Sequence, residues 1–504
     1  MDEFVKILAE INGKINGVVW GVPMLVLIIA TGIYMTARTG FFQVTHAKYV
    51  SKETFFAIFK KKSVIKTKDK KAISQFQALS TALAATVGTG NIAGVATAIA
   101  VGGPGAVFWM WLSAFFGMMT NYSENVLGIF FRKKNDKGEW CGGAMYYLEN
   151  GFKGGIKKLG KVLAVIFSIF CVLASFGIGN MTQVNNIANT LKDAFVPLGL
   201  PQIDIRITGA VIALLIALII IGGIKRIGKV TEKVVPFMAA LYVIGTLFIV
   251  FANIKQIPAV FGAIFRGAFG FDAVSGAFAG TLLKNAVTMG LKRGVFSNEA
   301  GLGSSVMVHS ASDVKEPVVQ GMWGIFEVFF DTIIICTLTA ITILSSGAID
   351  LSTGALVKEG LEGASLVTYA FQNTIHNFAG VFVAIATLFF AFSTMLGWSF
   401  YGTKSMEYLL GTKATYVYKF IFVIFVYIGA TMNLSLAWDI ADTLNGLMAI
   451  PNLIGVLVLS GIVFKITKNY VQRKIKKTDE DIEPMLSAYP ETQAEHAEAV
   501  RNAE

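Results

Sequence analysis

The stretch ATVGTGNIAG, residues 85–94, decides how this chain is read. Its Gly88, Gly90 and Gly94 approach the spacing of a loop that cradles phosphate. The same residues would also interrupt a helix inside a membrane. A dinucleotide loop follows a β-strand, opens a helix and has an acidic residue about 20 positions further on. Here SQFQALSTALAA (74–85) precedes the glycines. It is rich in helix formers, Gln75, Gln77 and Ser80 do not suit a core strand, and the next acidic residue is Glu124. The nucleotide reading fails.

Two membrane readings are left. Gly90 and Gly94 form a GxxxG pair that could let two helices approach closely. Packing does not explain Thr86, Thr89 and Asn91, which interleave with the glycines at bilayer depth and need polar partners there. An unwound segment explains both. Glycine permits non-helical backbone, and such backbone is tolerated in a membrane where it lines a cavity or is buried in protein. The half-helix that starts near Gly90 would present its positive N-terminus to an anionic group such as a carboxylate. The freed carbonyls could coordinate Na⁺.

Composition supports the membrane. The 504 residues are 54% hydrophobic and only 15% charged, with mean hydropathy +0.63, where globular chains carry about 25% charged residues. Stretches of bilayer length recur, among them VVWGVPMLVLIIATGIYMTA (18–37) and VVPFMAALYVIGTLFIVFA (234–252). The net charge of +11 does not point to nucleic acid, because the lysines cluster in short loops between apolar spans. Cys141, Cys171 and Cys336 have neither disulfide-framework nor metal-ligand spacing. The N-terminus lacks the features of a cleaved signal peptide. Phe4, Ile7, Leu8 and Ile11 recur at helical spacing, which predicts an amphipathic helix on the membrane surface over residues 1–16.

The sequence predicts an all-α polytopic membrane protein of about eleven spans, with soft boundaries. They are 17–37, 75–100, 104–132, 160–190, 206–223, 231–253, 277–310, 317–347, 378–405, 415–433 and 440–464. Four basic loops, 59–71, 131–139, 224–233 and 464–477, fall on one side, which is the expected cytoplasmic side. The N-terminus is then outside and the C-terminus inside. The opposite segments are poor in Lys and Arg: 193–205 has none and 348–377 only Lys358. The polar tail 478–504 is expected to be disordered.

The span 277–310 is also interrupted, by RGVFSNEAGLGSS (293–305). With the first span set aside, the two interrupted spans open two groups of five helices, 75–253 and 277–433. Five is odd, so the groups would form an inverted repeat, and paired glycine breaks of this kind point to a transporter binding site.

The string GGPGAVFWMWLSAFFGMMTNYSE (102–124), with VGTGNIAGVATAI before it and KRGVFSNEAGLGSS (292–305) after it, resembles the alanine or glycine:cation symporter family. The resemblance extends over roughly residues 17–465. That family shares the fold of the leucine transporter, whose first core helix carries a similar V-G-x-G-N break. The resemblance implies a secondary transporter that carries alanine or glycine inward with Na⁺ across the cytoplasmic membrane. No other cofactor is implied, and a monomer is expected.

The resemblance also implies site residues. Around Gly88, the amides of Thr89 and Gly90 would meet the substrate carboxylate, and the Thr86 carbonyl would meet its ammonium. Phe296 and Ser297 would add carbonyls to the ammonium. A sodium site would take the carbonyls of Ala84 and Val87, with Phe390, Ser393 and Thr394. A second would use Asn91 and Ser297. The adjacent hydroxyls of Ser393 and Thr394 have an alternative in back-bonding within their own helix. Phe176, Asn180 and Gln183 lie at helical spacing and could line the pocket, although Phe176 could equally be ordinary packing. Trp398 is a candidate lid. Glu299 departs from the family fold's usual serine and could pair with Arg293 or Lys292. Glu327 and Asp331 are intramembrane carboxylates that could relay protons, bind cations, or pair with Lys284 or Lys292. A proton-coupled transporter on the same fold is the competing function. A membrane enzyme or channel is disfavoured, since the chain has no HExxH, no GxSxG and no repeated filter motif.

Overall fold

The computed structural model describes residues 2–270, 276–432, 435–479 and 482–501. Among these, seven helices are long and apolar enough to cross a membrane, or eight if one bent pair counts as a single span. That pair is Gln75–Thr86 with Gly90–Gly102, bent by 50°. Ser74 starts it with a capping box: its hydroxyl accepts from Gln77 N at 3.1 Å, and Gln77 Oε1 accepts from Ser74 N at 3.2 Å.

The expected spans are helical, with shifted ends. Helix Gly223–Ala252 absorbs the basic segment 224–233, which the sequence reading assigned to a loop. The second interruption begins later than expected: helix Gly276–Asn298 runs through Arg293 and Gly294, and the chain breaks only at Glu299. Gly290 and Gly294 instead let this helix lie against Ala106–Phe130, where an added Cβ would meet Ala106 O at 2.4 Å and Ser113 Cβ at 3.0 Å. Several helices lie outside the expected spans, the longest being Ile257–Phe269 and Gly363–Ile375.

Four of the described helices contain π turns, in which the backbone bonds five residues back rather than four; one, Val471–Ile475, lies near the C-terminus, and the other three lie in the bundle. Those three are Gly90–Gly94, Gly177–Met181 and Phe329–Cys336. A belt of exposed apolar side chains, including Leu214, Ile244, Phe248 and Phe420, surrounds the bundle. So large an apolar surface marks a membrane-facing wall.

Both termini pack against the bundle. The N-terminal helix Asp2–Val19 is docked: Asn16 donates to Thr443 Oγ1 at 2.9 Å, and Trp20, just beyond it, donates to the Asp442 carbonyl at 2.9 Å. The side chains of Phe4 and Leu8 lie outside the described residues. The tail expected to be disordered is folded where described. Ala488 N donates to Phe130 O at 2.9 Å, helix Pro490–Arg501 follows, and Leu486 and His496 are fully buried. Burial and the nearby Arg132 push the His496 imidazole down to about 3. The polar composition concealed a few apolar anchors that suffice for docking.

Candidate functional site

The two interrupted helices meet at the centre of the bundle. At the first break Gly88 N, whose regular helical partner would be Ala84 O, donates to Thr86 O at 2.9 Å and to Asn91 Oδ1 at 2.9 Å. Asn91 N, whose regular partner would be Val87 O, donates to Gly88 O at 3.2 Å. The helical donors of the Ala84 and Val87 carbonyls have therefore turned elsewhere. These are the two carbonyls expected at a sodium site.

Helix Ala379–Leu410 brings Ser393 and Thr394 to this break. A Cβ added at Gly88 would lie 2.4 Å from Thr394 Oγ1, and one at Gly397 would lie 2.6 Å from Ala85 Cβ. Both hydroxyls donate to Phe390 O at 2.9 Å, so back-bonding occurs here. It leaves the oxygen lone pairs free to accept a cation.

Asn91 and Ser297 are also brought together, with Asn91 Nδ2 donating to Ser297 Oγ at 3.0 Å. They share Asp331: Asn91 Nδ2 donates to Oδ1 at 2.7 Å, Ser297 Oγ to Oδ2 at 2.5 Å, and Thr332 Oγ1 to Oδ2 at 2.9 Å. Asp331 lies in the π turn of its helix, and Thr339 from the same helix fixes the Asn91 carbonyl at 2.8 Å. Asp331 was singled out by sequence for its cost in a membrane, but not as a partner of Asn91.

Among the described residues, Asp331 pairs with no lysine. Lys292 bonds Asp442 at 2.7 Å, and Arg293 lies 3.8 Å from the same carboxylate. Glu299 is likewise not paired with either cation. Its Oε1 accepts from Trp398 Nε1 at 2.9 Å and its Oε2 from Ser304 Oγ at 2.5 Å. Glu327 meets His309 Nε2 at 2.8 Å. Among the described residues, these three buried carboxylates have no Lys or Arg partner. Buried carboxylates without a counter-charge are costly, so a cation or a proton is the natural complement. The described residues contain no cluster of three or more His, Cys, Asp or Glu side chains suited to a metal ion. Sodium, a hard cation, prefers carbonyl, hydroxyl and carboxylate oxygens instead.

A cleft of about 350 Å³ leads to the break. Thr89, Gly90 and Phe296 line it, and Gly363 and Ala364 from the lysine-poor segment form part of its mouth. Thr89 Oγ1 donates to Gln183 Oε1 at 3.1 Å, which places Gln183 beside the break as expected. Phe176 and Asn180 point elsewhere. Phe176 packs on Phe425 and Tyr418, with ring centroids 5.0 and 5.3 Å away, and Asn180 Nδ2 donates to Phe422 O at 2.7 Å. Phe176 and Asn180 both face helix Ala414–Thr431, and Gln183, beyond the π turn at 177–181, is the one that reaches the break. Trp398 does not line the cleft. It is buried against Gly179 and held by Glu299. Trp438, 6.4 Å from Phe296, is the tryptophan at the cleft, with Asp439 and Asp442 beside it. The sequence reading missed all three, although two acidic residues in the apolar run AWDIADTLNG (437–446) were a usable signal.

Comparisons with known proteins show the family and the fold. The family model described as the sodium:alanine symporter family matches residues 5–484. The sodium/alanine symporter AgcS of Methanococcus maripaludis is 47% identical over 92% of this chain and 97% of its own length. The putative sodium/proton-dependent alanine carrier protein YrbD of Bacillus subtilis is 35% identical over 95% of each chain. Among solved structures, MhsT in complex with L-phenylalanine aligns with 79% of this chain and 99% of its own, at a TM-score of 0.52 and 13% identity. That likeness concerns the fold alone, and it is the leucine-transporter fold. The chain is thus a multi-pass membrane transporter and belongs to the sodium:alanine symporter family.

Proposed function

We propose that the chain carries a small neutral amino acid, alanine or glycine, into the cell together with Na⁺ by alternating access. One observation carries the sodium part: the Ala84 and Val87 carbonyls lose their helical donors where Ser393 and Thr394 approach the break. Those four residues with Phe390 form the first ion site, and Asn91, Ser297 and Asp331 form the second. The substrate carboxylate meets the Thr89 and Gly90 amides at the positive start of the second half-helix. Its ammonium meets the carbonyls of Thr86, Phe296 and Ser297. Phe296 and Trp438 bound the space left for the side chain, since excluding one methylene is worth about 1–3 kcal/mol.

In this reading eleven spans place the N-terminus outside and the C-terminus in the cytoplasm. Residues 75–253 and 277–433 form the two inverted repeats, and the protein works as a monomer. The cleft then opens outward.

The test is radiolabelled alanine uptake into proteoliposomes under an imposed Na⁺ gradient or an imposed proton gradient. Concentrative uptake that requires Na⁺, and that Thr394→Ala weakens mainly in its Na⁺ dependence, supports the assignment. Uptake driven by protons alone supports the second reading. That reading is favoured by the absence of a Lys or Arg partner for Asp331 and Glu327 among the described residues, and it makes them the proton carriers.

A further inference from the structure

A separate pocket of about 190 Å³ lies at the lysine-rich end, beneath the hairpin that pairs Lys133–Lys134 with Trp140–Cys141. Its walls come from that hairpin, the turn at 220–223, the end of helix Ala379–Leu410 and the start of helix Ala414–Thr431. Five charged residues line it: Lys137, Glu139, Lys404, Glu407 and Lys419. Lys404 is buried and satisfied, with Nζ 2.8 Å from Glu407 and 4.0 Å from Glu139. Lys137 sits over the Tyr416 ring, 5.3 Å from its centroid. Lys419 is half-buried and makes no hydrogen bond or ion pair with a described residue. Three lysines against two carboxylates leave one positive charge in the pocket. A partly buried ammonium without a counter-charge is unfavourable, and a singly charged anion would balance it.

The wall beside the pocket says what kind of anion. Ile221, Val417 and Phe420 are 70%, 62% and 70% exposed. They belong to the membrane-facing belt, directly next to the charged pocket. A free inorganic anion would leave this wall unused. A ligand with an anionic head and hydrocarbon tails would use both. We propose that the pocket holds the phosphate of an anionic phospholipid, with its acyl chains along Ile221, Val417 and Phe420. Basic pockets between spans are known places for such headgroups.

The test uses the full chain, equilibrated in detergent with equal amounts of phosphatidylglycerol and phosphatidylethanolamine and examined by native mass spectrometry. The wild type should retain phosphatidylglycerol in preference. Lys419→Gln and Lys137→Gln should each lower the retained amount about fivefold. Lys413→Gln, an exposed lysine outside the pocket, should leave it unchanged. Equal losses in all three variants, or no preference in the wild type, would overturn the proposal. Thermal unfolding of the wild type is the second measurement. Phosphatidylglycerol should raise the melting temperature and millimolar inorganic phosphate should not. A rise with inorganic phosphate alone would overturn the lipid assignment.

Discussion

At residues 87–89 the first broken helix turns by 50° with no left-handed residue. The second break, residues 299–305, contains three: Glu299 at φ +56°, Gly301 at +93° and Gly303 at +73°. Both breaks are glycine-rich, yet glycine serves different ends. In the first, the absent side chain matters, because Gly88 meets Thr394 and Gly90 meets Phe296. In the second, the backbone freedom matters. The backbone at Gly88 is non-helical, as expected, but it needs no positive φ, and the close neighbours give a second reason for glycine there. Glycine in a broken helix has two readings, and only contacts across the bundle separate them.

Substitutions can break this contrast. The largest effect is expected from Gly88→Ala. Alanine tolerates the backbone there, so any loss comes from its Cβ, 2.4 Å from Thr394 Oγ1. Alanine uptake in proteoliposomes should fall about 100-fold or more, the scale of a small misplacement at a reacting centre. Normal uptake would show that crowding is not the reason for this glycine. Gly90→Val should also abolish uptake while membrane insertion persists, since a Cβ there meets Phe296 at 3.2 Å. Wild-type transport in that variant would sink the broken-helix account.

A smaller effect is expected from Gly301→Ala, which forces a left-handed backbone on alanine at a cost of about 1–2 kcal/mol. The readout is thermal unfolding in detergent, and uptake per folded molecule should change less than about twofold. A loss of uptake without a loss of stability would reverse the contrast. The smallest effect belongs to Glu299→Gly. Relief of about 1 kcal/mol of backbone strain offsets the loss of the bonds to Trp398 and Ser304, so stability should shift by under about 1 kcal/mol. A large destabilisation would mean that Glu299 is held chiefly by its side-chain partners.

Much of the architecture was legible in the sequence, because long apolar spans and a capping box are local signals. The first break was legible for the same reason: three glycines among threonines and an asparagine cannot be an ordinary span. The second break was misplaced because Gly294 and Gly301 look alike in sequence. One is a close contact with Ser113 and the other a left-handed turn. Partners far apart in the chain were not legible. Asn91 meets Asp331 across 240 residues, and Trp398 meets Glu299 across 99. The charged partners proposed for both carboxylates were chosen by nearness in sequence, which does not govern a bundle. Phe176 and Asn180 face helix Ala414–Thr431, a partner more than 230 positions along the chain that helical spacing does not identify.

Those π turns have a consequence for motion. Each holds one more residue per turn than the α-helix around it, like a dislocation in a crystal row. Moving the dislocation along the helix by exchanging one bonding partner at a time rotates the intervening side chains by about 100°, the angle per residue of an α-helix, with few backbone bonds open at any moment. Asn91, Asn180 and Asp331 each sit within such a turn. Three helices can thus carry polar groups into or out of the centre of the bundle by sliding a fault, without unfolding and without tilting as rigid rods.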